Sequence, residues 1–178
     1  PIHAPTSNMR FGSGLARLRP MLDRRVNVGI ATYAANSSDS LNMFESTRLA
    51  SFISRVLTPE YQQWLGADEV LTMATEGSAR AMGWDGMLGR VAAGYKADLV
   101  FLDLRHINYV PLHDLVTQIV FTENGSAVDS VMIGGTLVLD HGHLTTVDET
   151  KLRRDATAAA ARLANANEQM RQLSRKLQ

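Results

Sequence analysis

Two histidines flanking one glycine, His141-Gly142-His143, have the spacing with which short motifs hold zinc. They fall between short apolar runs with no third ligand at metal-site spacing, so they read as a solvated turn. Asp39 lies in a small polar loop ahead of an apolar-periodic stretch, where a carboxylate accepts from the first free amides of a helix. His3 closes a short apolar run, a place for hydrogen bonding along a loop or for contact with a substrate. The run Phe11-Gly12-Ser13-Gly14-Leu15 has neither the lysine of a phosphate-binding loop nor the Gly-x-Ser-x-Gly spacing of a nucleophile elbow. No cysteine is present, which excludes thiol nucleophiles, iron–sulfur clusters and zinc fingers. His106 and His113 flank Pro111 in a loop. Lys151, Arg153 and Arg154 are balanced by Asp148, Glu149 and Asp155 and read as an exposed charged face.

The elements that position these groups follow from periodicity. Residues 1–8 read as a strand end running into a Pro-Thr-Ser-Asn loop, followed by the glycine turn at 11–14. Leu15, Leu18, Met21 and Leu22 then mark a helix that ends near Arg24-Arg25. Residues 26–31 form a β-branched apolar run suited to a buried parallel strand. A loop over 32–40 leads into a helix over about 41–56 with Leu49, Phe52, Ile53 and Val56 on its apolar face. Residues 57–83 continue helical through Val70, Leu71, Met73 and Ala74. Beyond Gly83 the chain reads as strands over 99–102, 118–122, 128–133, 136–139 and 144–147, with Gly134-Gly135 as a two-residue hairpin turn. Residues 149–178 carry Leu152, Ala156, Ala159, Leu163, Ala166, Met170, Leu173 and Leu177 at alternating four- and three-residue steps, a heptad seam expected to dock on the chain's own body.

The bulk properties bound the class. At 178 residues and 19.5 kDa the chain can bury one sizeable core. Lysine plus arginine equals aspartate plus glutamate at 18 each, so no overall field draws the protein to nucleic acid or anionic membrane. No apolar run approaches the roughly 20 residues that cross a bilayer. The expectation is a soluble, cytoplasmic globular protein. The start at Pro1, directly in an apolar stretch, reads as a start within a longer protein.

Three stretches together resemble the amidohydrolase superfamily, in its branch of cytosine deaminase-like, guanine deaminase-like and triazine hydrolase-like enzymes. The first, His3-Ala4-Pro5-Thr6-Ser7-Asn8 with the following Gly12 and Gly14, is similar to that branch's His-x-Pro-x-Ser-Asn loop. The second, residues 29–44 (GIATYAANSSDSLNMF), is similar to the stretch that ends its last barrel strand. The third, Gly89-Arg90-Val91-Ala92-Ala93-Gly94-Tyr95-Lys96-Ala97-Asp98-Leu99-Val100, is similar to its entry into a β-sandwich. Pro111-Leu112-His113-Asp114 also resembles a run of the branch and reads as structural.

The resemblance implies an α/β fold: the last two βα units of a (β/α)8 TIM-type barrel over 1–83, part of a composite β-sandwich over 84–147 and a long carboxyl-terminal helix over 148–178. It implies a metal-dependent hydrolase of non-peptide C–N bonds, a deaminase or dechlorinase of a nitrogen heterocycle, using zinc or iron. The family's metal-binding, proton-accepting aspartate falls at Tyr33, and Ala31 and Ala34 stand where glycines are usual. A phenol with pKa near 10 is neither a good ligand for a hard cation nor a base for water at pH 7. Asp39 is the nearest carboxylate that could substitute. His3, Thr32 and Ser37 are the candidate substrate contacts. The chain alone is therefore expected to bind no metal and to be inactive. Its expected partners are a small heterocyclic substrate and either a missing amino-terminal portion or a second copy of itself. The alternative is a catalytically inactive remnant or assembly module that associates through exposed strand edges and the terminal helix.

Overall fold

A computed structural model describes residues 1–167 and residue 172. It is a mixed α/β structure in which a two-stranded parallel sheet and a four-stranded antiparallel sheet share one helical layer. The parallel pair is β1 (Ile2–His3) with β2 (Gly29–Ile30), in register Ile2 to Gly29 and His3 to Ile30. The strand expected over 26–31 shrinks to two residues because a ladder is only as long as its partner, and β1 turns into a helix after His3. That helix, α1 (Pro5–Arg10), replaces the expected Pro-Thr-Ser-Asn loop. Pro5 opens it with a preset φ and no amide to strand, and Asn8 N–H donates to Ala4 C=O at 3.0 Å. Gly12 and Gly14, at φ +61° and +88°, then hold the chain out of helix, so α2 (Leu18–Asp23) begins later than Leu15.

The short helix α3 (Ala35–Ser38) interrupts the loop after β2, and α4 (Met43–Leu57) follows. Asn42 caps α4, its Oδ1 accepting from Phe44 N–H at 2.9 Å and Glu45 N–H at 3.2 Å, so Asp39 is not the cap. The apolar face expected on α4 is also wrong: Ile53 is buried, but Val56 is 81% exposed. The face that packs is small and hydroxylated, with Ser46, Thr47, Ala50, Ser51 and Ser54 beside Ile53. Hydroxyls are tolerated there because several are satisfied locally. Ser51 Oγ donates to Leu65 C=O at 2.7 Å, and Ser54 Oγ accepts from Leu65 N–H at 2.9 Å. Phe52 instead stacks on Phe121 at a centroid distance of 5.7 Å, with the Arg55 guanidinium over both rings.

Helix α5 (Ala67–Thr72) runs through a π turn at Met73–Gly77 into α6 (Ser78–Ala81). The core collects Leu18, Val28, Ile30, Ala50, Leu65, Val70, Met73 and Val120. Gly77 makes the closest approach: a Cβ there would lie 2.5 Å from the Val28 carbonyl oxygen. Gly77→Ala is expected to destabilise the chain by about 1–3 kcal/mol, because the obstacle is backbone and cannot rotate away. A urea unfolding midpoint that stays at the wild-type value would show that this contact yields freely.

The antiparallel sheet runs β3 (Leu99–Leu102), β4 (Val128–Ile133), β5 (Thr136–Asp140), β6 (His143–Leu144) in that spatial order. Gly134 and Gly135 turn the β4–β5 hairpin with both φ values positive, +55° and +84°. The strand expected at 118–122 is instead part of helix α7 (Leu115–Phe121). Its β-branched residues favour strand, but Asp114 caps the helix by accepting from Thr117 N–H at 2.7 Å, and tertiary packing of Val120 in the core does the rest. Helix α8 (Glu149–Ala166) is capped by Asp148 and leaves its described side chains unburied, Leu152 and Leu163 among them. The seam therefore does not dock on the chain's own described body as expected. Met170, Leu173 and Leu177 lie outside the described residues. No described helix is long and apolar enough to cross a membrane.

Candidate functional site

Both strands of the parallel pair end at the same rim, where α1 follows β1 and the Thr32–Ser40 loop follows β2. A hydroxyl pair ties the two connections together. Ser7 Oγ and Ser37 Oγ lie 2.6 Å apart, and Ser37 Oγ also donates to Ala34 C=O at 2.9 Å. Ser37 is fully enclosed with its hydroxyl occupied in this way, so it braces the rim and does not line an opening. Thr32 is half-buried beside it, its carbonyl 3.5 Å from Ser7 Oγ.

Tyr33 projects from this rim, 69% exposed and at φ +66°. A bulky side chain in the left-handed region is strained, and such strain collects at functional turns. With Ala4, Ser7, Asn8, Phe11 and Ser13 it lines an open cavity of about 310 Å3. Two aromatic rings and the Asn8 amide make this lining suited to a small planar polar molecule. Asp39 stands on the same loop, exposed and ion-paired to Arg10 of α1. That pairing was not legible from the sequence, because the two residues are separated by 29 positions and nothing local marks them as partners. A larger cavity of about 540 Å3 lies at the opposite end of β2, lined by residues including Arg25, Asn27 and Arg80.

His3 is 3% exposed, and its Nε2 has no hydrogen-bond partner. Burial lowers its pKa below the ordinary imidazole value, because no neighbour compensates the lost hydration of the cation. It faces the helical layer and not an open mouth. A group that must charge on unfolding contributes stability that is complete above its unfolded pKa of about 6.5 and lost as pH falls toward the depressed folded value. The urea midpoint of the chain is therefore expected to fall between about pH 6.5 and 5, and His3→Gln to flatten that slope. An equal slope in the variant would assign the titration elsewhere.

The residues present do not by themselves suit a metal ion. Among the described residues no group of three or more His, Asp or Glu side chains comes together. Tyr33 offers a phenol, Asp39 is committed to Arg10, and the buried His3 nitrogen has no second ligand beside it. The His141-Gly142-His143 turn is spent otherwise: His141 Nδ1 lies 3.1 Å from Asp129 Oδ1, and Asp129 and Asp140 raise its pKa.

One buried charge escaped the sequence reading altogether. Glu123, fully enclosed after α7, takes the Tyr109 hydroxyl on Oε2 at 2.7 Å. Its Oε1 accepts from the N–H groups of Asn124, Gly125 and Ala127 at 3.0, 2.7 and 3.3 Å. The only local signal was a carboxylate directly before an Asn-Gly turn.

Comparison with known proteins was made on this geometry. A model of the amidohydrolase family matches residues 2–138. The 5-methylthioadenosine/S-adenosylhomocysteine deaminase of Acetivibrio thermocellus is 37% identical over 162 residues, a stretch covering 91% of this chain and 37% of the deaminase. An adenosine deaminase from Xanthomonas campestris, crystallised with bound zinc, superposes with a TM-score of 0.87 at 29% identity over 92% of this chain and 37% of its own. The zinc complex of an atrazine chlorohydrolase from Arthrobacter aurescens superposes at 0.81 with 30% identity, over 88% of this chain and 35% of its own. The chain thus spans little more than a third of the length of the relatives it matches.

Proposed function

This chain belongs to the amidohydrolase family, and we propose that it forms the carboxyl-terminal portion of a metal-dependent hydrolase of non-peptide C–N bonds acting on a nitrogen heterocycle. Deamination is the favoured chemistry, since the relative from Acetivibrio thermocellus is a deaminase, and dechlorination is its variant in the atrazine-cleaving relative. In this reading residues 1–83 supply the last two βα units of a barrel, residues 84–147 part of a composite sandwich and residues 148–178 a terminal helix. The zinc or iron of the whole enzyme is held by residues outside this chain. Within it, Phe11 and Tyr33 flank the ring of the substrate, Asn8 and Thr32 offer polar contacts, and the Ser7–Ser37 pair with His3 behind it fixes the rim. The observation that carries the reading is the parallel β1–β2 pair, which brings the His3 loop and the Tyr33 loop to one rim in a family member about a third of the usual length.

A second reading, an inactive remnant or assembly module, is favoured by Tyr33 itself, since the rim holds no free carboxylate to take a proton from water. Co-expression of this chain with the part of the Acetivibrio thermocellus deaminase outside the match tests both. Ammonia release from 5-methylthioadenosine by the co-purified complex supports the enzyme portion. A stable complex that releases none, yet gains activity when Tyr33 is changed to Asp, supports the remnant.

A further inference from the structure

The two margins of the parallel pair are finished differently. Gly29 N–H donates to Pro1 C=O at 3.1 Å and Ala31 N–H to His3 C=O at 2.9 Å, so the alternation of a parallel ladder aims the Ile30 N–H and C=O away from β1. One side chain meets both. Ile30 N–H donates to Ser78 Oγ at 3.0 Å, and the Ser78 hydroxyl has the Ile30 and Met73 carbonyls as acceptors, each at 3.0 Å. One residue earlier the α5–α6 helix presses Gly77 onto the Val28 carbonyl, and Asn27 Nδ2 donates to Gly77 C=O at 2.9 Å. A helix thus occupies the line along which another strand would run. The margin of β1 differs: the same alternation points the Ile2 N–H and C=O outward, and the Ile2 side chain is 52% exposed.

We infer that strand addition to this chain is one-sided: the outer margin of β1 receives a parallel strand from the amino-terminal part of an amidohydrolase chain, and Ser78 closes the outer margin of β2. The inference rests on the reading of this chain as a portion of a longer barrel. The partner follows from length and geometry. Relatives carry nearly twice as much chain again outside the match, with the matched stretch 37% of their length. A two-stranded sheet is marginal alone, and parallel sheets occur with further strands. A barrel closed by hydrogen bonds all round would need both margins free, so the completed barrel carries a seam at β2 where a serine hydroxyl stands in for a strand.

Amide hydrogen exchange read by NMR on the labelled chain tests this. Ser78→Ala is expected to speed exchange at the Ile30 amide at least about tenfold while Ser78→Thr, which keeps the hydroxyl, leaves it slow. Unchanged protection of Ile30 in Ser78→Ala overturns the closure. In the complex with the rest of the Acetivibrio thermocellus deaminase, the Ile2 amide is expected to become protected. Protection gained at Ile30 of the Ser78→Ala chain with Ile2 left exchanging overturns the sidedness. A folded chain that shows the Ser78→Ala effect yet never co-purifies overturns the longer-barrel reading and the partner with it, and leaves the closed margin of β2 standing.

Discussion

Glu123→Ala is expected to cost the chain about 3–5 kcal/mol, because it orphans four buried donors at about 1–3 kcal/mol each, with partial relief from water entering the space. The four are the Tyr109 hydroxyl and the amides of Asn124, Gly125 and Ala127. Arg48 donates to the carbonyl of the same residue, so the loop also anchors α4 to the end of α7. At about 2–4 °C per kcal/mol the melting temperature falls by roughly 10 °C. Tyr109→Phe removes one donor and keeps the three amides paired, and is expected to cost about 1.5–3 kcal/mol. Burial alone would raise the Glu123 pKa, but the hydrogen bonds from Tyr109 and the three amides outweigh it and hold the carboxyl below its ordinary value. Its contribution is therefore complete above the unfolded carboxylate value and lost as pH falls through the depressed one. That window lies below the one expected of His3, so the two titrations separate in a single series of urea midpoints. If Glu123→Ala unfolds at the wild-type midpoint, the enclosed carboxylate is not what holds this loop.

The second large effect is chemical. In the complex proposed above, Tyr33→Asp is expected to raise the rate of 5-methylthioadenosine deamination by about 10²–10⁴-fold, the usual contribution of a positioned general base. The left-handed backbone at residue 33 also favours the change, since Asp tolerates φ near +66° better than a bulky ring does. A gain in thermal stability of the chain alone is the independent readout of that relief. Tyr33→Phe is the control: it keeps the ring and the strain and is expected to change neither rate nor stability appreciably. If Tyr33→Asp and Tyr33→Phe behave alike in both measurements, the position has no privileged role at the rim.

The parts of this fold that the sequence made legible are those governed by local rules. The spacing around Ile53 placed α4, and Gly134-Gly135 placed the β4–β5 hairpin, because each needs only its own residues. Residues 118–122 were misread because their side chains prefer strand and the cap that overrules them, Asp114, lies outside that window. The terminal seam was legible as a helix, but what it packs against is not written in its period. At the rim, the loops of His3 and Tyr33 were recognisable, but their environments were not. Whether a histidine faces a cavity or a layer of helices depends on which side of the sheet the chain returns to. Arg10 with Asp39, and Ser78 with Ile30, are long-range pairings of ordinary residue types, and no local pattern distinguishes them from solvated side chains.

The π turn at Met73–Gly77 widens the helix by one residue over a single turn. Each residue of a helix advances the next side chain by about 100° around the axis. The widened turn therefore sets the azimuth of everything that follows it. Deleting one residue between Met73 and Gly77 would restore a regular helix and rotate the serine hydroxyl off the strand, bringing a neighbour such as Arg80 or Ala79 round in its place. The chain can tolerate many substitutions in this segment, but its length is fixed to the residue.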